Sequence, residues 1–311
     1  MQERSSLKVA YCLLVHTNPK QGARLIKRIY SRDDFFYVHV FTKKGAPFHE
    51  WEQIGDFGEN MVLVQSKYGP SRGRFGLVAA TLDAMNRFAG CSYDYFVNLS
   101  GQSYPLKSAA EIKNQLGTNL AYMRYDELPY VDWGVQGGLD RIHNYWFRLG
   151  DRNIRIPRIH KRLPHNLRPY GSSQWFCLPR RFIDFILAFI SDEPRILDFF
   201  RRSRIPEEIF FSTIIMNSKL SGQVINDDKC YVRWSPKPNR SHPLILETKD
   251  FNELKVSSDL FARKFDIEVD ENILDLLDKE IDAATRMQES IDVGIPDTFK
   301  SVSPAPKSML A

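Results

Sequence analysis

Cysteine is scarce in this chain. The 311 residues hold four, at Cys12, Cys91, Cys177 and Cys230, and no two stand in a C-x-x-C spacing. That argues against a zinc site and fits reduced, mostly buried thiols. Long apolar runs are also missing. The N-terminal stretch MQERSSLKVAYCLLVH is broken at His16, too early for a signal peptide or a membrane anchor, so a cytoplasmic location is expected. No linker rich in Pro, Gly or Ser interrupts residues 7 to 290, and no internal repeat is visible, which points to one domain. The only glycine-rich candidate for cradling phosphate, YGPSRGRFG (Tyr68 to Gly76), has neither a GK[ST] ending nor the G-x-G-x-x-G pattern and reads as a flexible loop. Excess charge is absent too: the net charge is +5, with 43% apolar and 26% charged residues, ordinary values for a soluble globular chain.

The charge that is present is unevenly placed. From Arg141 to Arg168 there are seven Arg and one Lys against the single acid Asp151, whereas Glu247 to Asp292 is acidic. A basic face for an anionic partner is the reading that follows, with a merely solvated surface run as the alternative. A nucleic-acid binder is disfavoured, because the basic residues sit in one segment with no accompanying motif.

The pattern along the chain is that of an α/β sheet. Strands are expected over Lys8 to Val15, Phe35 to Phe41, Met61 to Gln65, Asn119 to Tyr125, Gly171 to Leu178 and Lys229 to Trp234. Helices are expected over Gly22 to Tyr30, Leu77 to Phe88, Ala109 to Leu116, Arg180 to Ile190, Lys249 to Ser257 and Asp270 to Arg286, with Val293 to Ala311 a disordered tail. The centre of this pattern is YFVNLSGQSYPLKS, Tyr95 to Ser108, an apolar strand that stops abruptly at Ser100 and Gly101. Ligands of open α/β sheets bind beyond the carboxyl ends of the strands, so Ser100, Gly101 and Gln102 should face one. In SRIPEEIFFSTIIMN, Pro206 with Glu207 and Glu208 reads as a helix start. A first-turn glutamate there is either a usable base or a complement to the helix dipole. His16 and His39 read as satisfied strand-end residues.

Taken in order, AYCLLVH, FFYVHV, YFVNLSGQSYPLKS, GSSQWF, PEEIFFSTII and SHPLIL followed by DLFARKFD resemble the core-2/I-branching β-1,6-N-acetylglucosaminyltransferase family. This is glycosyltransferase family 14, which also holds the protein xylosyltransferases. The resemblance runs from about Lys8 to Asp282. It implies a GT-A-like single catalytic domain over residues 1–292, with a central, mostly parallel sheet flanked by helices. It also implies an inverting enzyme that moves a sugar, GlcNAc first and xylose as the alternative, from a UDP-sugar to a hydroxyl of a glycan acceptor. No metal or other cofactor is implied, and no D-x-D occurs in the chain.

Residue by residue, the resemblance makes Glu208 the general base. It puts Lys264 and Arg263, with Arg240 near a second basic position, on the leaving diphosphate, and Val15, His16 and Ser100 at the donor. Gln174 and Trp175 fall in the block beside the acceptor. Trp234 is a further candidate for stacking on a sugar ring, and core packing is the alternative for either tryptophan. Two positions depart from the family pattern: Phe41 follows His39 and Val40 where an aspartate helps hold the nucleoside, and Ser103 replaces an acid in SGQSYP. These departures leave open a nucleotide-sugar or glycan binding module without turnover. A glycosidase is disfavoured, because Glu207 and Glu208 are adjacent on a helix and do not flank a bond. The Arg-rich segment, with Tyr145, Trp146 and Phe147, would suit an anionic membrane surface or a lipid-linked glycan, giving a peripheral membrane association.

Overall fold

The structure is a computed structural model that describes residues 7–42, 47–54, 58–66, 75–149, 152–235 and 243–294. Arg240, most of the Tyr68 to Gly76 loop and the tail beyond 294 lie outside the described residues.

The chain opens with β1 (Val9–Val15), α1 (Pro19–Ile29), β2 (Phe35–Val40), α2 (Phe48–Glu52), β3 (Met61–Gln65), α3 (Gly76–Arg87) and β4 (Tyr95–Ser100). These strands pair in parallel, β2 and β4 on either side of β1 and β3 outside β2. All seven residues of β1 are buried because both faces of the strand are covered, which is why it reads as an unbroken apolar run. Val9, Tyr11, Leu13 and Val15 enter one core with Leu25, Ile26 and Ile29 of α1, while Ala10, Cys12 and Leu14 enter the other with α3. Gly22 in α1 is forced by this packing: a Cβ there would lie 2.5 Å from the Trp51 ring.

After β4 come β5 (Ser103–Pro105), α4 (Ala109–Leu116), β6 (Ala121–Tyr122), β7 (Asp126–Glu127) and α5 (Asp140–His143). The capping box of Ser108 and Glu111 starts α4 at the expected residue. Beyond α5, β8 (Asn144–Leu149) and β9 (Arg152–His160) form a separate two-stranded sheet. They are followed by β10 (Tyr170–Gly171), β11 (Phe176–Pro179), α6 (Arg180–Asp192), α7 (Arg195–Arg201), α8 (Phe210–Met216) and β12 (Val224–Ile225). Last come β13 (Cys230–Val232), α9 (Phe251–Val256), β14 (Phe261–Arg263) and α10 (Asn272–Gly294). The main sheet has seven strands in the order β12-β6-β11-β4-β1-β2-β3, with β11 antiparallel to its neighbours. This is the expected mixed α/β layout, a central, mostly parallel sheet flanked by helices.

Several sequence expectations are corrected. The strand over Asn119 to Tyr125 shrinks to two residues, since Asn119 takes a left-handed φ of 60° and the Tyr125 amide is bonded by the Asn226 side chain. Within Gly171 to Leu178, Ser172 to Trp175 leave the ladder, because the Ser173 hydroxyl takes the Trp175 amide. The helix expected from Pro206 is broken into a short 3-10 turn, Pro206–Glu208, and α8, because Ile205 has φ 51° and Ile209 is off-helical. The C-terminal helix, expected over Asp270 to Arg286, runs over Asn272–Gly294. Its acidic face is spent inside the fold: Asp278 pairs with Arg24 at 2.8 Å and with Arg28 at 3.0 Å, and Asp282 with Arg28 at 2.8 Å.

The basic segment changes character as well. Lys161 is buried and donates to the Phe199 carbonyl at 2.8 Å and to the Ser203 hydroxyl at 2.7 Å. Burial lowers its pKa to about 7. His39 is buried, with its Nδ1 3.2 Å from the Tyr37 hydroxyl and its Nε2 without a hydrogen-bond partner. It is therefore not the satisfied residue expected, and burial pushes its pKa down to about 4.

Candidate active site

The carboxyl ends of β1, β2 and β4 open into a cavity of about 640 Å³. Leu14, His16, Phe41, Ser100 and Gln102 form its floor, so the strand-end rule holds for this chain. Val15 does not line it. Its side chain is buried against Gly101, where a Cβ would come within 2.9 Å, and its carbonyl accepts from the Phe41 amide at 2.8 Å. Val15 and Gly101, expected to face a ligand, are not among the lining residues: alternation along a strand sends the Val15 side chain into the core, close against Gly101.

A second sheet delivers the basic pair. In the order β13-β14-β5, Arg263 of β14 stands opposite Ser103 of β5, so FARKFD is pinned beside SGQSYP across a separation of some 160 residues. The Phe265 amide donates to the Gln102 carbonyl at 2.9 Å and closes the join. Arg263 and Lys264 both line the cavity, and the peptide between them is cis. The Arg263 guanidinium lies 5.0 Å over the Trp175 ring, a cation–π contact that fixes a long side chain. His16, beside Lys264, has its pKa lowered by burial and then by the lysine charge.

Ser172, Ser173, Gln174 and Trp175 form the opposite wall, with the Gln174 carbonyl held by Asn98 Nδ2 at 2.9 Å. Trp175 is nearly buried, so packing and a cavity edge are both its role. Trp234 is 53% exposed at the rim, which frees its ring face. Glu208 enters from the 3-10 turn. Its carbonyl accepts from the Ser172 amide at 2.7 Å and its Oε2 lies 2.7 Å from Arg141 Nη1. Glu207, one residue earlier, is buried and is not among the residues that line the cavity.

Arg124, Asp126, Asp132, Trp133 and Arg141 also line the cavity. Sequence reading missed all five, because the stretch from Arg124 to Arg141 is irregular and shows no period. The signal available was a cluster of Trp, Arg and Asp in a glycine-containing segment without strand or helix pattern. Trp133 donates its indole N–H to Asp126 Oδ2 at 2.9 Å, and Arg141 lies 4.8 Å over its ring. Among the described residues, no group of three or more His, Cys, Asp and Glu could hold a metal ion, and no helix is long and apolar enough to cross a membrane.

The cleft at the sheet's strand ends thus gathers three carboxylates, Glu208, Asp126 and Asp132, with the adjacent cations Arg263 and Lys264. Residues 9–255 match the family model described as Branch, Core-2/I-Branching enzyme. The chain belongs to this family, which is one of glycosyltransferases. Curated relatives include xylosyltransferase 2 of Mus musculus and of Homo sapiens, each 26% identical over 302 residues, and xylosyltransferase 1 of Homo sapiens, 24% identical over 298. In each case 88% of this chain is covered, against 33% or 30% of the relative, so the chain spans about a third of their length. Among solved structures, mouse xyloside xylosyltransferase 1 in its apo form aligns over 73% of this chain and 88% of that one, at 10% identity and a TM-score of 0.38.

Proposed function

We propose that the domain over residues 1–292 transfers a sugar from a UDP-sugar to a hydroxyl of a glycan acceptor, with inversion and without a divalent ion. Glu208 takes the acceptor proton as the hydroxyl oxygen attacks the anomeric carbon. The bond from that carbon to the diphosphate breaks on the opposite face, and the negative charge that grows on the departing UDP meets Lys264 and Arg263. Trp234 and Trp175 offer ring faces to a pyranose, and Gln174 and Ser100 offer polar contacts. The observation that supports this reading best is that Glu208, Arg263 and Lys264 line one cavity.

GlcNAc is the first donor sugar expected from the sequence. Xylose is the second reading, and it is favoured by relatives whose names describe them as xylosyltransferases and which match 88% of this chain. A panel of UDP-sugars in excess EDTA, scored for UDP release, tests both. Glu208→Gln should cut turnover by on the order of 100-fold or more while leaving UDP affinity nearly unchanged. A Gln variant with wild-type turnover would remove the base assignment. UDP binding without release from any donor would favour the non-catalytic binding module.

A further inference from the structure

We infer that Arg141 is a positioning residue for the Glu208 carboxylate, seated on Trp133; the inference rests on the reading of Glu208 as the base. Glu208 stands in a turn of three residues, with left-handed Ile205 before it and off-helical Ile209 after it. A turn that short gives its side chains no neighbouring helical turn to lean on, so the orientation of the carboxylate has to be set from outside. Among the described residues Arg141 Nη1 holds Oε2 at 2.7 Å, while the Ser172 amide ties the Glu208 carbonyl, and so the turn, at 2.7 Å. The side chains of Arg141 and Glu208 are only 17% and 21% exposed, so water does little to loosen the pair.

The arginine is itself fixed. Its guanidinium rests 4.8 Å over Trp133, whose N–H is tied to Asp126 at 2.9 Å. The rear of that indole is pressed against Gly171, where a Cβ would stand 2.5 Å from ring carbon Cζ2. The Arg141 carbonyl accepts from the Arg204 amide at 2.9 Å, one residue before strained Ile205. Trp133, Arg141 and the turn carrying Glu208 are thus one connected stack, and a shift at its far end reaches the carboxylate. Gly171→Ala probes that shift without touching the carboxylate or the guanidinium, from a position that meets Trp133 and precedes Ser172 in the chain.

The test measures UDP release from UDP-GlcNAc and from UDP-xylose, with UDP affinity by titration calorimetry as a control. Arg141→Ala should lower kcat by about 10- to 100-fold, the scale set by misplacing a catalytic group by roughly 1 Å, with UDP affinity within about twofold. Millimolar guanidinium should restore part of the loss, and Arg141→Lys little of it, since an ammonium cannot both stack and reach in a fork. Gly171→Ala should lower kcat in the same direction by a smaller factor. In a Glu208→Gln background, Arg141→Ala should cost nothing further, because its effect runs through the carboxylate. An undiminished kcat in Arg141→Ala, or an equal loss in the Gln background, overturns the assignment while leaving the base in place. If Glu208→Gln itself turns over normally, or if the wild type releases UDP from neither donor, the base reading falls and this inference falls with it.

Discussion

Replacing Lys264 by Met should expose how the diphosphate is held. The substitution keeps most of the aliphatic stem and deletes one cation from the cavity wall, where Arg263 remains stacked on Trp175. Lys264 is the cleaner of the two to change, since truncating Arg263 would also remove packing. A hydrogen bond to a charged group contributes about 1.5–3 kcal/mol. Because Lys264 is partly exposed, the lower part of that range applies, which corresponds to a loss of roughly 10- to 30-fold in UDP affinity. The assay is titration calorimetry with UDP, UMP and uridine in excess EDTA. The loss should be full for UDP, smaller for UMP and near zero for uridine. A second readout is the His16 ring: its pKa is lowered by burial and by the lysine charge, so in Lys264→Met it should rise towards its ordinary value, seen by NMR. Equal losses for UDP and uridine, or UDP binding that vanishes in EDTA and returns with Mn²⁺, would refute the placement of the diphosphate on this lysine.

Three further outcomes follow from other parts of the fold. His39 has a pKa of about 4 folded against 6.5 unfolded, so above pH 6.5 it is neutral in both states and contributes nothing. As the pH falls from 6.5 towards 4 only the unfolded chain takes up the proton, at 1.36 kcal/mol per pH unit, and about 3 kcal/mol is lost; urea titrations of His39→Gln should show a flatter profile over that window. Gly22→Ala should destabilise by about 1–3 kcal/mol through the clash with Trp51, the opposite sign from the roughly 1 kcal/mol gain that helix propensity alone would give, and unchanged or raised stability in denaturant melts would show that the ring can move aside. On the β8–β9 hairpin Phe147 and Ile159 are about half exposed and Arg155 is exposed, and Arg162, just after the hairpin, is exposed too. At roughly 1 kcal/mol per basic residue near an anionic surface, Arg155→Gln with Arg162→Gln should weaken co-sedimentation with phosphatidylserine vesicles by about 30-fold at low salt, and a wild type that ignores such vesicles would make the hairpin a plain surface excursion.

The parts of this site that could be read in the sequence are those where local pattern and tertiary role coincide. Strand β1 announces itself because both its faces are buried, and the break at Ser100 marks the strand end around which the cavity forms. Glu208 could be found through Pro206, but its backbone could not: the helix start was visible, while the φ of 51° at Ile205 that cuts the helix short is imposed by the fold against the preference of a β-branched residue. Charge counting misled most. The basic excess from Arg141 to Arg168 looked like one surface, yet Arg141 is drawn inward to Glu208 and Lys161 is buried under α7. The acidic face of the C-terminal helix is paired with Arg24 and Arg28, more than 240 residues earlier. Charge totals carry no information about such pairings, since a partner is set by which elements the sheet order brings together. The same holds for the stack of Trp133 on Gly171. No spacing in YDELPYVDWGVQGGLDR tells that its tryptophan will meet a glycine some forty residues later. It is the β7–β10 pairing, Asp126 opposite Gly171, that brings them into contact and places Arg141 beside Glu208.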